Sequence, residues 1–382
     1  MKPLRVMVFS AAFGAGHFQA AEAIVEAVKE KRPDAEIVHL DFMEFLNKPV
    51  NRAIKNVYLG LIKHAPGLWG KFYYKTAKIS PSSTVYQILH HLGKGKFLKF
   101  IEKKSPDIIV CTYPTIACVL GELRQRKLLQ VPVVTAITDF AAHSHWIHQG
   151  VDLYAVASTK TLDSLVAAGI KEDRVRVTGI PVSLRFEGDL DRQRIALKLG
   201  LNPTQRVCLI MGGAFGALAG VKKICEMLSV SLLPIQTVVV CGKDRKLFAS
   251  LEEVALQSRN PVIRLGFVTN VEELMTVADF VVTKAGGLTV SEALTKNVPL
   301  FIYKPIPGQE EENAHYLEEV EAGRIACSES ELLAQLKIAL ENPAELEKMR
   351  QAQALVAPKS PAARTVEFML HLHDTNQKLL AG

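Results

Sequence analysis

Residues 280–294 read FVVTKAGGLTVSEAL: a short β-branched run, a glycine pair and then a helical pattern. The run Phe280–Thr283 predicts a strand of a parallel sheet, and the residues from Leu288 onward predict the helix that follows it. Gly286 and Gly287, at the turn, let a ligand approach the backbone, and the first turn of the helix offers free N–H groups. The stretch therefore predicts an α/β fold with an anion-binding turn at the carboxyl end of a strand.

The same alternation of strand and helix runs through the whole chain of 382 residues, of which 48% are hydrophobic. Front strands are predicted at 4–10, 36–40, 108–112, 133–137, 153–157 and 174–178, and back strands at 207–211, 237–241, 262–265, 280–283, 300–303 and 325–327. Short strands that alternate with longer helices predict an α/β chain with two Rossmann-like, doubly wound parallel sheets.

Residues 179–188 carry glycine and proline without periodicity, which predicts a linker between two domains. We expect a first domain at residues 1–185 and a second that begins at residue 186. Ligands of such sheets bind at the carboxyl ends of strands, so we expect the functional site in a cleft between the domains.

The six cysteines are scattered, without a Cys-x-x-Cys pair or a nearby histidine cluster. Neither a zinc site nor a disulfide framework is indicated, which favours a reducing cytosol. The apolar run at residues 4–13 is typical of a first strand, and no run reaches the 18 or so residues of a membrane span. Any contact with a membrane is therefore expected to be peripheral.

Positive charge is concentrated in the front half: residues 1–185 hold 25 Lys and Arg against 15 Asp and Glu, whereas residues 186–382 hold 21 against 24. Much of the excess lies at residues 47–104, where twelve basic residues and one acid are interleaved with aromatic residues. Apolar residues at helical spacing, at 50–62 and 85–92, predict two basic amphipathic helices. Their lysines either face solvent or meet an anionic lipid surface, and we expect the second. Nucleic acid is disfavoured because no aromatic stacking platform accompanies the charge.

Two front segments carry chemistry. Gly14, Gly16 and His17 follow the first strand, and residues 138–146 read TDFAAHSHW after an apolar strand. His17 or Asp139 is predicted to act as a general base, because each follows a strand at the edge where ligands bind. The alternative for each is a structural role.

The back half carries a second set of polar turns. Residues 211–216 read MGGAFG between a strand and a helix, and Glu292 lies one turn beyond the glycine pair, where its carboxylate can accept from both hydroxyls of a ribose. Gln309, Glu310 and Asn313 follow a later strand and have the donors and acceptors that sugar hydroxyls need.

At these residues the sequence resembles the monogalactosyldiacylglycerol synthases and processive diacylglycerol glucosyltransferases, relatives of the peptidoglycan glycosyltransferase that makes lipid II. The matching motifs span nearly the whole chain and lie at residues 14–17, 138–146, 178–181, 266–268, 284–293 and 307–310.

The resemblance implies a GT-B fold, with a lipid acceptor in the first domain and a UDP-sugar donor in the second, at residues 186–357. A C-terminal helix at 358–382 would complete the first domain. On the acceptor side the resemblance implies Gly16, His143 and Trp146 as binding residues beside His17 and Asp139. The UDP-sugar ligands that it implies are Phe267 and Val268 for uracil, Glu292 for ribose, Gly213, Gly287, Leu288 and Thr289 for the diphosphate, and Gln309 and Glu310 for the hexose.

The expected reaction is an inverting transfer of glucose or galactose from a UDP-sugar to 1,2-diacylglycerol, on the inner face of the cell membrane. The alternatives are a lipid II-type N-acetylglucosaminyltransferase and a UDP-sugar 2-epimerase of GT-B architecture. No metal or other cofactor is expected, because no Asp-x-Asp motif lies beside a predicted strand. Helix N-termini are then expected to stabilise the leaving UDP.

Overall fold

The computed structural model describes residues 3–11, 15–45, 57, 60–61, 65–77, 94–212, 218, 220–232 and 234–381. Gly14, Gly213 and nearly all of the two amphipathic patterns at 50–62 and 85–92 lie outside these ranges. The chain forms two compact units. The first comprises Met1–Leu184, Pro307–Gln309 and Pro358–Gly382, and the second comprises Arg185–Ile306 and Glu310–Ala357.

The strands are β1 (Arg5–Ser10), β2 (Glu36–Asp41), β3 (Ile108–Cys111), β4 (Val133–Ala136), β5 (Leu153–Val156), β6 (Val175–Val177), β7 (Arg206–Met211), β8 (Ile235–Val240), β9 (Val262–Leu265), β10 (Phe280–Thr283), β11 (Leu300–Tyr303) and β12 (Gly323–Ala326). All twelve predicted strands are therefore confirmed, with ends displaced by at most two residues. The predicted α/β class with two doubly wound sheets is also confirmed, because every pair of neighbouring strands is parallel.

The helices within the described ranges are α1 (Ala15–Lys31), α2 (Pro66–Ala77), α3 (Lys94–Lys104), α4 (Pro114–Gln125), α5 (Thr159–Ala167), α6 (Arg192–Lys198), α7 (Val221–Ser229), α8 (Arg245–Ser250), α9 (Glu252–Gln257), α10 (Val271–Val277), α11 (Gly287–Thr295), α12 (Gln309–Glu319), α13 (Glu329–Glu341), α14 (Pro343–Val356) and α15 (Pro361–Ala381).

The strand order in the first unit is β2-β1-β3-β4-β5-β6. The chain leaves β1 toward β2 and then crosses over to β3, so the direction of winding reverses between β1 and β3. In the second unit the order is β12-β11-β10-β7-β8-β9, and the reversal falls between β7 and β10. Open α/β sheets bind their ligands at such points, outside the carboxyl ends of the strands.

Helices cover both faces of the first sheet. On one face, α1 and α15 bury Ile24, Val366 and Met369 against β1, β3 and β4. On the other face, Phe97 of α3, Ile116 of α4 and Trp146 lie in a second apolar cluster. Full burial of one such side chain stabilises the folded unit by about 1.5–3 kcal/mol. These clusters therefore fix the positions of the strands, and of the residues that follow their carboxyl ends.

The segment after β6 needs a glycine. Gly179 has a φ of +85°, and a β-carbon there would lie 3.1 Å from the ring of Pro361, at the start of α15. Any other residue would be strained and crowded at this position.

Candidate active site

His17 lies in the first turn of α1, directly beyond the carboxyl end of β1. Its Nδ1 atom is 2.7 Å from the carbonyl oxygen of Thr112 and 2.8 Å from Oγ1 of Thr138. A carbonyl oxygen can only accept, so Nδ1 must carry the ring proton. The lone pair of the neutral imidazole is therefore on Nε2, the arrangement that a general base requires.

The environment keeps this ring neutral. Burial lowers the pKa of His17 from 6.5 to about 4, against the smaller opposing effect of the bond to the Thr112 carbonyl. The rings of Tyr113 and Trp146 lie 5.0 and 6.1 Å from the imidazole and account for part of this desolvation. At neutral pH His17 is an unprotonated base.

Thr112 and Thr138 hold His17, a role that the motifs did not predict for either residue. Thr112 follows β3 and is fully buried, and its Oγ1 donates to the carbonyl oxygen of His17 at 2.8 Å. Thr138, 4% exposed, lies two residues beyond β4. Each threonine follows a strand that ends at the same edge as β1. This position after a strand is the sequence feature that could have indicated a role in the site.

The TDFAAHSHW segment lies next to His17. Asp139 follows Thr138 and is 9% exposed, and Trp146 is fully buried. His143 caps the turn Ser144–Trp146, where its Nδ1 accepts from the backbone N–H of His145 at 3.2 Å. Gly16 precedes His17 in α1. The first unit therefore brings together the predicted acceptor-side residues.

In the second unit, the glycine pair lies at the N-terminus of α11, next to the reversal point of the sheet. Gly286 caps the helix, and a β-carbon placed on it would meet no atom of the described chain within 4 Å. The N–H groups of Gly287, Leu288 and Thr289 belong to the first turn, where an α-helix leaves its donors without helical partners. The turn thus offers amide donors and open space to an anion.

Glu292 lies one turn further along α11. Burial raises the pKa of its carboxyl to about 8; the nearby charge of Glu272 raises it further, and Arg185 partly opposes both. Arg185 itself pairs with Glu272 at 3.3 Å. In the free protein Glu292 is therefore mainly protonated at pH 7, and donors from a ligand would favour its charged form.

Glu310, in the first turn of α12, is held on both carboxylate oxygens. Lys284 donates to one oxygen at 2.9 Å, and the backbone N–H of Ile306 lies 3.3 Å from the other. Asn313, fully buried, donates to the carbonyl of Ala285 at 3.0 Å. Lys284 and Asn313 thus tie the start of α12 to the glycine-pair turn, a support that the sequence did not reveal.

The remaining predicted donor residues lie at strand or helix ends. Gly266, Phe267 and Val268 directly follow β9, and Phe267 is 60% exposed with Nζ of Lys243 at 5.5 Å from its ring. Gln309 is the first residue of α12. Of the segment MGGAFG, at residues 211–216, only Met211 and Gly212 are described; Gly213 is outside the described residues.

The described residues contain neither a cluster of metal ligands nor a membrane-spanning helix. No group of three or more His, Cys, Asp or Glu side chains in these ranges is placed to hold a metal ion. Within the same ranges no helix combines the length and apolar character needed to cross a bilayer.

Each half of the chain matches a known protein family. Residues 17–182 match the family described as monogalactosyldiacylglycerol (MGDG) synthase, and residues 207–365 match the glycosyltransferase family 28 C-terminal domain. The first match includes His17 and the TDFAAHSHW segment, and the second includes the glycine pair and Glu292.

Among curated proteins, a processive diacylglycerol β-glucosyltransferase of Bacillus pumilus (strain SAFR-032) is 32% identical, over 99% of this chain and 98% of its own length. Among solved structures, MurG of Acinetobacter baumannii is similar with a TM-score of 0.62 at 18% identity, covering 98% of this chain and 100% of that one. A putative UDP-N-acetylglucosamine 2-epimerase from Listeria monocytogenes also has a TM-score of 0.62, at 15% identity over 98% of this chain and 97% of that one. The two solved structures have the same fold as this chain. The B. pumilus enzyme is similar to it in sequence along nearly its whole length.

Proposed function

This chain belongs to the family of the processive diacylglycerol β-glucosyltransferases and as such is a UDP-sugar glycosyltransferase that acts on diacylglycerol; we propose that it works by a single inverting displacement with His17 as the base. The observation that carries this mechanism is the neutral imidazole of His17, whose proton is fixed on Nδ1. Glucose is the first donor to test, because the B. pumilus relative is a glucosyltransferase. Galactose is the alternative.

In the reaction, the free hydroxyl of 1,2-diacylglycerol gives its proton to Nε2 of His17. Its oxygen attacks the anomeric carbon of the hexose as the bond from that carbon to the UDP oxygen breaks. The imidazolium keeps its Nδ1–H bond to Thr112 and then loses the new proton to solvent. Asp139, which follows Thr138 in the chain, is the alternative base.

The leaving UDP takes on charge as the bond breaks. We assign its stabilisation to the first-turn amides of α11, at Gly287, Leu288 and Thr289, supported by the positive end of the helix dipole. Gly213, which lies outside the described residues, is proposed to contribute from the MGGAFG segment of the sequence. Phe267 and Val268 are proposed to hold uracil through their backbone.

Sugar hydroxyls need acceptors as well as donors. Glu292 is proposed to accept from both hydroxyls of the ribose, in its charged form. Gln309 and Glu310 are proposed to bind the hexose, with Glu310 held in place by Lys284. A side chain that is already fixed loses little conformational freedom when the sugar binds.

We also propose that the first unit docks on anionic lipid, at the inner face of the cell membrane. Helix α2 exposes Leu68 (60%) and Phe72 (55%), and Lys71 and Lys75 are also exposed. At 100° per residue these four side chains form one stripe, so apolar and basic groups face outward together. That combination is typical of helices that lie in a membrane interface.

Helix α3 differs from α2. Its apolar residues Phe97 and Ile101 are buried in the core, and its exposed residues Lys99 and Lys103 lie on the opposite side. Its lysines are proposed to add long-range attraction to anionic lipid without insertion.

The experiment that tests this function is incubation of the protein with UDP-glucose or UDP-galactose and vesicles, with and without 1,2-diacylglycerol. The lipid products are then identified by mass. A hexosyl-diacylglycerol formed only in the complete mixture supports the proposal. Parallel incubations contain UDP-N-acetylglucosamine, with and without lipid I. Transfer to lipid I with no transfer to diacylglycerol, or epimer formation without lipid, contradicts the proposal.

A further inference from the structure

His143 joins helix α2 to the segment that carries the acceptor-side residues. Its Nε2 lies 3.1 Å from the backbone carbonyl of Tyr73, and its ring is 4.6 Å from the Tyr73 ring. Since a carbonyl oxygen can only accept, Nε2 carries the proton and donates it to α2.

The other ring nitrogen of His143 is also engaged. Nδ1 accepts from the backbone N–H of His145, which starts the turn ending at Trp146. With one nitrogen donating to α2 and the other accepting within its own segment, the ring is a neutral tautomer that is 8% exposed. Its polar atoms therefore bind protein rather than an acceptor hydroxyl.

The turn that His143 caps leads to the base. Trp146, at the end of that turn, is 1% exposed and its ring is 6.1 Å from the ring of His17. A continuous series of contacts thus runs from α2 through His143 and Trp146 to His17. On the outer side of α2 lie Leu68 and Phe72, the side chains proposed to enter the lipid.

We propose that His143 is a positioning residue that fixes the lipid-facing helix α2 to the segment beside the base, so that a diacylglycerol held in the membrane is presented to His17. This inference rests on the proposed function. The proposal predicts that substitution of His143 impairs the use of a diacylglycerol embedded in lipid and leaves the binding of the UDP-sugar unchanged.

Two variants separate this role from a general loss of structure. His143→Phe keeps a ring and removes both hydrogen bonds, whereas His143→Gln keeps an N–H donor near the Nε2 position. His148→Phe is the matched control, because Nε2 of His148 bonds to the carbonyl of His145 rather than to α2. For each variant we would measure the KM for diacylglycerol in vesicles, kcat, the Kd of UDP and amide hydrogen exchange of residues 66–77.

For His143→Phe we expect the KM for diacylglycerol to rise by about five- to tenfold, the size expected for the loss of the one neutral hydrogen bond that joins His143 to α2. Exchange in residues 66–77 should become faster, with an unchanged Kd for UDP and an unchanged pH profile of kcat. His143→Gln should restore part of both losses, and His148→Phe should leave exchange in residues 66–77 as in the wild type.

Wild-type exchange in residues 66–77 of both His143 variants would overturn the proposal, as would a fall in kcat with no change in the KM for diacylglycerol. If the wild-type protein transfers no sugar to diacylglycerol, the proposed function fails. The exchange measurement still decides in that case whether His143 holds α2.

Discussion

Nδ1 of His17 and the carbonyl oxygen of Thr112 lie 2.7 Å apart, although the two residues are separated by 95 positions in the chain. The contact exists because β1 and β3 are neighbours, with Phe9 opposite Cys111, so that both residues emerge at the same edge of the sheet. It fixes the tautomer of the imidazole before any substrate binds. The proposed mechanism follows from this relationship.

The first prediction concerns pH. The pKa of His17 is about 4, and the active form of a base is the unprotonated one. We expect kcat/KM for diacylglycerol, measured at saturating UDP-glucose so that Glu292 already holds the donor, to stay near its neutral value at pH 5.5 and to fall only as the pH approaches 4. A histidine with the ordinary pKa of 6.5 would leave about a tenth of the activity at pH 5.5. A midpoint near 6.5, measured with vesicles whose charge is constant over this range, would contradict the burial argument.

Thr138 provides a second test. Thr138→Val keeps the shape of the side chain and removes the oxygen at 2.8 Å from Nδ1 of His17. We expect kcat to fall by about five- to tenfold, as for the loss of one hydrogen bond, with the Kd of UDP unchanged. Thr138→Ser keeps the hydroxyl and is expected to be close to the wild type. Equal loss in both variants would show that packing, rather than the hydroxyl, matters here.

The third prediction concerns Glu292, whose carboxyl has a pKa of about 8 in the free protein. Ribose hydroxyls donate to the charged form, so binding lowers this pKa and releases a proton. Affinity should therefore rise with pH from 7 to 9, which calorimetry can measure. The comparison is between UDP and 2′-deoxy-UDP, which lacks one of the two hydroxyls. In Glu292→Gln the rise should disappear, because the amide does not ionise, and the preference for UDP should shrink, because an amide oxygen accepts more weakly than a carboxylate. Persistence of the rise with pH would exclude Glu292 as the ribose ligand.

The outward face of α2 gives the fourth prediction. Lys71→Gln and Lys75→Gln should each weaken binding to anionic vesicles by about fivefold, since a basic residue near such a surface is worth about 1 kcal/mol. Phe72→Ser should weaken binding to neutral and anionic vesicles alike. Leu256→Ser, at an 81% exposed position in the second unit, is the matched control. Vesicle flotation that gives the same loss for Leu256→Ser as for Phe72→Ser would rule out a specific role for α2.

Much of the fold followed from local patterns. Runs such as Phe280–Thr283 are buried on both faces of a parallel sheet, and a sequence of β-branched and apolar residues reports that burial directly. The glycine pair at 286–287 was informative for a similar reason, since the residues needed at a strand-to-helix turn lie next to one another in the chain.

The supports of the site were not predictable in the same way. Thr112, Thr138 and Lys284 act through one or two hydrogen bonds each, to residues between 26 and 121 positions away. Such pairs depend on which strands are neighbours and on the register between them. Neither property can be predicted from the local sequence pattern. His143 illustrates the same limit: the family resemblance implied a contact with the acceptor, and the motif gave no sign that both ring nitrogens bond to the protein backbone.

The most direct test of the proposed mechanism is the turnover of His17→Ala with UDP-glucose and diacylglycerol vesicles, alongside the Kd of UDP. Loss of a general base predicts a fall in kcat on the order of 10²–10⁴-fold. The Kd of UDP should stay nearly unchanged, because the proposed UDP ligands lie in the second unit. Turnover like that of the wild type in His17→Ala would contradict the account.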